Sequence, residues 1–329
     1  MIKGKPNVAR KRVQRNSSPR ATNAGAPAVN ITPQVLRRWR LPQPDEGGDK
    51  EERGRVLVVG GAPEMPGAII LAATAALRAG AGKLQIAAPR SIAQTVAAAV
   101  PESRVFALPE TKTGTIAVSA AVEIAIHANE AQAVLVGPGM SDEAAATRLM
   151  EALLPRFEHV VPILDAAALA FLAKSPDGLR GLRGRVVLTP HAGEMASLTG
   201  LSKTVITRDP LGTARRQSEG WRAVVALKGA ETFIAAPGVE AYCNRAGNVG
   251  LATSGSGDTL SGIIAGLAAR GASPLQAAVW GVYLHACAGD KLARRMGTLG
   301  FLARELLAEI PALMARLERG TQHRKSSTE

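Results

Sequence analysis

Residues 56–88 read VLVVGGAPEMPGAIILAATAALRAGAGKLQIAA. The four apolar residues Val56–Val59 make a short run that suits a strand buried on both faces. Gly60 to Gly67, GGAPEMPG, is a loop. Ala68–Ala79 has the composition of a helix, with Pro66 near its start and Gly80 after its end. Lys83–Ala88 is the next strand. Strand, helix and strand within 33 residues make the repeating unit of an alternating α/β chain.

The alternation continues outward from this unit. Ser91–Val100 reads as helix, Arg104–Leu108 as extended and Thr115–His127 as helix. Ala133–Val136 is a buried strand, followed by a helix over Ser141–Leu154 with Ser141 as its cap. Val160–Leu164 is a strand and Ala166–Ala173 a short helix. Val186–Leu188 is a strand, with a helix through Glu194–Leu198 and another over Pro210–Glu219. Ala223–Leu227 is a strand. Thr232–Ala235 and Val239–Asn244 read as a hairpin turning at Pro237-Gly238. Two helices, Pro274–Arg294 and Phe301–Leu317, close the chain. Short apolar strands between helices imply a mostly parallel sheet covered on both faces, with the hairpin at one edge. Ligands of such sheets bind at the carboxyl ends of the strands.

The ends of the 329-residue chain differ from its middle. Its net charge of +13 is uneven: residues 1–55 carry +8, residues 56–315 carry +3 and residues 316–329 carry +2. The first 44 residues contain no acid. Residues 1–40 therefore read as a basic, disordered tail, and 321–329 as a second tail. A transit peptide shares that composition, but no amphipathic helical pattern is evident. No basic patch with interleaved aromatics occupies the middle, so nucleic acid is not the expected partner. No apolar run is long enough to span a membrane. Cys243 and Cys287 lie far apart, without the spacing of a zinc site or a disulfide framework. A reducing cytoplasm fits that usage.

Chemistry concentrates in loops after strands. Asn244–Leu267, NRAGNVGLATSGSGDTLSGIIAGL, has six glycines among 24 residues and ends in a helix-like run. Gly255, Ser256 and Gly257 form a tight turn into that helix. Main-chain N–H groups and the positive helix end make an anion pocket there. Asp258 beside it can cap the helix or take a proton from a substrate hydroxyl. Gly137-Pro138-Gly139 brings backbone close to a ligand, or is a plain turn. In Thr189-Pro190-His191-Ala192-Gly193-Glu194, His191 can hydrogen-bond a substrate while Glu194 orients it; a helix-start signature is the competing reading. Lys228, at a strand end, suits a phosphate, or is a solvated lysine. Asp165 reads as the cap of the helix from Ala166. Neither a Walker A motif nor the dinucleotide glycine fingerprint is present. No histidine pair has metal-ligand spacing, so no protein-built metal site is expected.

Six segments together resemble the ADP/ATP-dependent NAD(P)H-hydrate dehydratase family, a branch of the ribokinase-like superfamily. They are VLVVGG with PGAIILAATAALRAGAGK, then VLVGPGM, LDAAAL, LTPHAGEM, LKGAET and NRAGNVGLATSGSGDTLSGI. The resemblance implies that residues 41–320 form one ribokinase-like domain, a three-layer α/β/α sandwich on a mostly parallel sheet. It implies ADP-dependent removal of water from the (6S) hydrate of NADH or NADPH (NADHX, NADPHX), with AMP and phosphate released. Asp258 then matches the catalytic position and also touches substrate, with Ala68, Gly139 and His191. Lys228, Gly229, Ala230, Glu231 and Thr232, with Gly255, Ser256 and Gly257, fall at nucleotide-binding positions. Mg²⁺ is implied on the phosphates of ADP or ATP. A homo-oligomer, such as a tetramer, and a separate hydrate epimerase are implied too.

The chain departs from its relatives at Ala62-Pro63-Glu64-Met65-Pro66, where many have a Ser-rich or Lys-bearing loop. It also lacks a second acid after Asp165. The competing enzyme reading is an ATP-dependent alcohol kinase of the same superfamily, of the hydroxyethylthiazole or hydroxymethylpyrimidine type. A nucleotide sensor that keeps the fold is the non-enzymatic one. His191 in TPHAGE, the PGA segment and NRAGN before GSGD favour the dehydratase.

Overall fold

The computed structural model describes residues 26–44 and 50–319. In chain order the elements are β1 (Val29–Asn30), α1 (Pro33–Arg38), β2 (Arg55–Val59), α2 (Pro66–Arg78), β3 (Lys83–Pro89), α3 (Arg90–Ala99) and β4 (Ser103–Leu108). Then come α4 (Ala121–Asn129), β5 (Ala133–Val136), α5 (Glu143–Leu153), β6 (Val161–Leu164), β7 (Val187–Leu188), α6 (Ala192–Thr199), α7 (Lys203–Arg208) and α8 (Pro210–Trp221). The last are β8 (Val224–Leu227), β9 (Thr232–Ala235), β10 (Tyr242–Asn244), α9 (Ser256–Ala269), α10 (Pro274–Met296) and α11 (Ala303–Arg319).

The strands form one sheet in the order β1-β10-β9-β8-β7-β6-β5-β2-β3-β4. Pairing is parallel from β8 through β4, and antiparallel where β9 meets β8 and β10. Strand side chains alternate between faces. Val56 and Val58 accordingly join one buried cluster with α2, α9, α10 and α11, while Leu57 and Val59 join another with α4, α5 and α8. That split makes three layers, and it explains why β2 reads as a continuous apolar run.

The layer behind the site packs backbone on backbone. A Cβ added to Gly262 of α9 would lie 2.2 Å from the Ala72 carbonyl oxygen of α2, and one on Gly266 would lie 2.3 Å from that of Ala76. The alanine-rich face of α2 permits this approach. It locks the second half of α9 against α2.

Several boundaries differ from the sequence reading. Of the tail expected over residues 1–40, residues 1–25 lie outside the described residues, as do 320–329. Residues 26–40 are structured, because their apolar side chains find partners far away in sequence. Val29 pairs with Tyr242, making β1 the sheet edge beyond the hairpin. Leu36 is fully buried, and the Trp39 ring stacks on Tyr242 at 5.8 Å. Trp280 and Gln276 of α10 donate to the Trp39 carbonyl at 2.8 and 3.1 Å. Helix α5 is capped by Asp142, whose carboxylate accepts from Ala145 N at 2.9 Å, and not by Ser141. The stretch Ala166–Ala173 is a 3₁₀ helix, entered through Ala166 at φ +50°.

Candidate functional site

Five strands deliver the singled-out loops to one edge of the sheet. β2 runs into Gly60-Gly61, β5 into Gly137–Gly139, β6 into Asp165, β7 into Thr189–His191 and β8 into Lys228–Thr232. Gly61 N donates to the Pro138 carbonyl at 2.7 Å, which ties the first two loops together. Gly139 has φ +71°, and a Cβ there would stand 2.7 Å from Met65 O and 3.1 Å from the Ala68 Cβ. Ala68 and Gly139 therefore adjoin, and only a glycine fits opposite the alanine.

Charge gathers beside them. Lys228 N donates to Pro190 O at 2.8 Å, and Lys228 pairs with His191 across the strand ends. The Lys228 ammonium lies 3.0 Å from Asp165 Oδ1 and 3.9 Å from Glu194 Oε2. A Cβ on Gly257 would be only 3.7 Å from Lys228 Nζ, so the ammonium stands at the start of α9. Burial pulls its pKa down, but Asp165, Glu194 and Asp258 outweigh burial and raise it. Lys228 is thus a held cation rather than a solvated loop lysine. Asp165, read from sequence as a cap, makes no side-chain cap bond. Its Oδ1 accepts from Thr189 Oγ1 at 2.8 Å and from Lys228. The buried carboxylate is taken up by the lysine, which lies 63 positions away in sequence.

His191 is itself the N-cap of α6. Its Nδ1 accepts from Glu194 N at 3.0 Å, and Glu194 Oε2 accepts from His191 N at 2.7 Å, a reciprocal capping box. Histidine is not among the usual capping residues, so the sequence pattern pointed to Glu194 instead. An Nδ1 that accepts a main-chain N–H leaves the proton of the neutral ring on Nε2. That side chain is 58% exposed, so the Nε2–H is free to meet a ligand.

At the start of α9 the N-cap is Gly255, at φ +84°. Asp258 therefore sits two residues inside the first turn and does not cap the helix. Burial, reinforced by the Asp165 charge, pushes its pKa up to about 6, while Lys228 and the Asp258 backbone N–H oppose the rise. A carboxylate that titrates there is ionised at neutral pH yet basic enough to take a proton.

Two cavities meet at His191. One, of about 690 Å³, lies between α5, the 3₁₀ segment after β6 and α6. The other, of about 760 Å³, lies between the end of β8, the loop over residues 244–253, the start of α9, and α10. Lys228, Gly229, Ala230, Thr232, Ser256 and Gly257 line the second. Glu231 and Gly255 do not: the Glu231 carboxylate turns out to Arg245 at 2.6 Å. His285, which no sequence motif singled out, lines the cavity and bonds Ser256. No local pattern could have found it, since it lies 29 residues downstream on another helix. Asn244 and Asn248 also line this cavity; Asn248 is held by Asp290 and accepts from Gly250 N at 3.0 Å.

Residues 56–312 match the family model described as NAD(P)H-hydrate dehydratase. An ADP-dependent (S)-NAD(P)H-hydrate dehydratase of Xanthomonas campestris pv. campestris is 46% identical over 88% of this chain and 97% of its own length. A bifunctional NAD(P)H-hydrate repair enzyme of Moorella thermoacetica is 44% identical over 85% of this chain, which spans 53% of that longer relative. Among solved structures, the ADP/ATP-dependent NAD(P)H-hydrate dehydratase of Bacillus subtilis, co-crystallised with ATP and Mg²⁺, is 28% identical and covers 88% of this chain and 99% of its own at a TM-score of 0.74.

Proposed function

We infer the reaction from one premise: the chain belongs to the NAD(P)H-hydrate dehydratase family. It is an enzyme, an ADP-dependent (S)-NAD(P)H-hydrate dehydratase, which restores NADH or NADPH from the hydrate and releases AMP and phosphate. The observation that carries the site assignment is Asp258, with its raised pKa, beside Lys228 at the start of α9.

Hydroxide is a poor leaving group and phosphate a good one. The ADP phosphates lie over Ser256 and Gly257, with Lys228 as a point charge and Gly229, Ala230 and Thr232 along the nucleotide. Asp258 takes the proton of the C6 hydroxyl as that oxygen attacks the β-phosphorus, and AMP leaves. The C6–O bond then breaks as the ring nitrogen lone pair moves in. Phosphate departs, C5 of the resulting iminium gives up its proton to water, and the C5=C6 double bond of the dihydronicotinamide is restored. Donors fixed at the helix start stabilise charge on the transferring group. His191 donates from Nε2 to the hydrated nicotinamide, and Ala68 and Gly139 shape the surface beneath it.

Mg²⁺ travels with the nucleotide and neutralises phosphate charge. The donors facing the α9 start suit that arrangement. They are the Lys228 ammonium and the Asp165 and Glu194 carboxylates already engaged with it. We place the enzyme in the cytoplasm as a homo-oligomer, and assign epimerisation of the hydrate to a separate protein. Among the described residues no helix is long and apolar enough to cross a membrane.

Incubation with NADHX and ADP, followed at 340 nm, tests the reading. NADH should form with wild type and not with Asp258→Asn. No NADH, together with ATP-dependent turnover of a thiazole or pyrimidine alcohol, overturns it in favour of the kinase.

A further inference from the structure

Helix α10 holds both banks of the second cavity. Asp290 accepts from Gly247 N at 3.0 Å and from Asn248 Nδ2 at 3.1 Å, which fixes the loop before α9. One and a half turns earlier on the same helix, His285 Nε2 lies 2.9 Å from Ser256 Oγ, at the first residue of α9. Both side chains of this second pair are buried, and both line the cavity.

Ser256 cannot serve an anion through its main chain. Its N–H already donates to the Thr253 carbonyl at 3.2 Å. Whatever Ser256 gives a phosphate must come from its hydroxyl, and a hydroxyl has one proton. If Nε2 were bare, that proton would point back at the ring and the oxygen would turn lone pairs toward the phosphate. If Nε2 carries the hydrogen, it donates to Ser256 Oγ and the serine O–H is left for the ligand.

Resting on the nucleotide site proposed above, we infer that His285 is a positioning residue: its Nε2–H donates to Ser256 Oγ and so aims the serine hydroxyl at the phosphate seated on α9. Burial, with the Lys228 charge acting in the same direction, pulls the His285 pKa down to about 4 against an opposing hydrogen bond to the Ser256 backbone, so the ring is neutral at pH 7 and has one N–H to place. No proton is transferred to or from His285 in the reaction; it acts only through the serine.

Calorimetric titration of ADP and of AMP into the full chain, with KM and kcat for ADP, tests this. His285→Leu and Ser256→Ala should each weaken ADP about tenfold, the size of one hydrogen bond to a charged group. The double variant should be no worse than either single one. His285→Gln, whose amide N–H reaches the Nε2 position, should stay within about threefold of wild type. AMP, lacking the β-phosphate, should lose less than ADP in both single variants. Additive losses, equal losses for ADP and AMP, or failure of Gln to rescue would reduce His285 to a structural residue and overturn the inference. Should His285→Leu not fold, Ser256→Ala in wild-type and His285→Gln backgrounds decides between the same outcomes. Failure of wild type to bind ADP at all would indict the nucleotide site, not the role of His285.

Discussion

Asp258→Asn should make the free protein more stable at neutral pH while abolishing turnover. In the fold the carboxyl titrates at about 6, against about 3.9 in an unfolded chain. Well below 3.9 it is neutral in both states and the stabilities of wild type and variant agree. As pH rises through 3.9 toward 6, the unfolded chain ionises freely and the folded one does not, so wild type loses stability. Above 6 the loss is complete, at about 3 kcal/mol. The same relation leaves about 1 kcal/mol at pH 4.5. Asparagine carries no charge and escapes the loss. The attraction to Lys228 that it forfeits is already counted, because Lys228 is one of the groups that set the pKa. At about 2 °C per kcal/mol for a chain of this size, the variant should melt about 6 °C higher at pH 8 and about 2 °C higher at pH 4.5. Thermal melts of the nucleotide-free protein at the two pH values, with NADH formation at 340 nm, read both effects. A variant that melts no higher than wild type at pH 8, or gains equally at both pH values, would refute the raised pKa. One that still turns over at the wild-type rate would refute the base.

In wild type, kcat/KM should rise with pH through about 6 and then level, since the base must be ionised. Asp165→Asn should move that midpoint down, because the Asp165 charge helps to raise it and Lys228 then has one partner fewer; a midpoint that stays or rises counts against the coupling. Gly139→Ala should destabilise by about 2–4 kcal/mol, from the positive φ together with the 2.7 Å approach to Met65 O, and lower kcat/KM for the hydrate more than ADP affinity. Denaturant melts and kinetics check it, and unchanged values would count against the proposed place of Gly139 beside the substrate. Gly262→Val should unfold or strongly destabilise the protein, as its Cβ meets Ala72 O at 2.2 Å; a variant with wild-type melting would mean that α2 and α9 are free to separate.

The alternation of apolar runs was enough to read the parallel sheet, because a strand buried on both faces leaves a signature in four consecutive residues such as Val56–Val59. The hairpin was legible from Pro237-Gly238 for the same local reason. Residues 26–40 were not, since their order depends on Tyr242, Gln276 and Trp280, more than 200 positions away in the chain. The site divides in the same way. His191 and Lys228 stand at strand ends, where position alone suggests a role. The engagement of Asp165 by Lys228, and of Ser256 by His285, exists only after the crossovers have placed β6 near β8 and α9 against α10. Single-residue propensity also misled in places: Asp165 looked like a cap and His191 did not, yet the histidine caps and the aspartate pairs.

The arrangement has a consequence for how an anion enters. Asp165, Glu194 and Asp258 surround the single Lys228 ammonium, so the cluster facing the start of α9 is acidic when Asp258 is ionised. A nucleotide cannot be held there by Lys228 alone. Attraction has to come from groups that carry no compensating carboxylate: the α9 main-chain donors, the Ser256 hydroxyl, and the cation that arrives on the phosphates. Burial, with the Asp165 charge second to it, keeps Asp258 basic, and a more cationic pocket would bind ADP better but depress the base. Lys228 is held between these demands. It is close enough to Asp165 to remain charged, and close enough to Gly257 to reach a phosphate, without resting on Asp258 itself. On the proposed assignment, recognition by neutral donors and proton abstraction by a buried carboxylate thus operate beside one held cation.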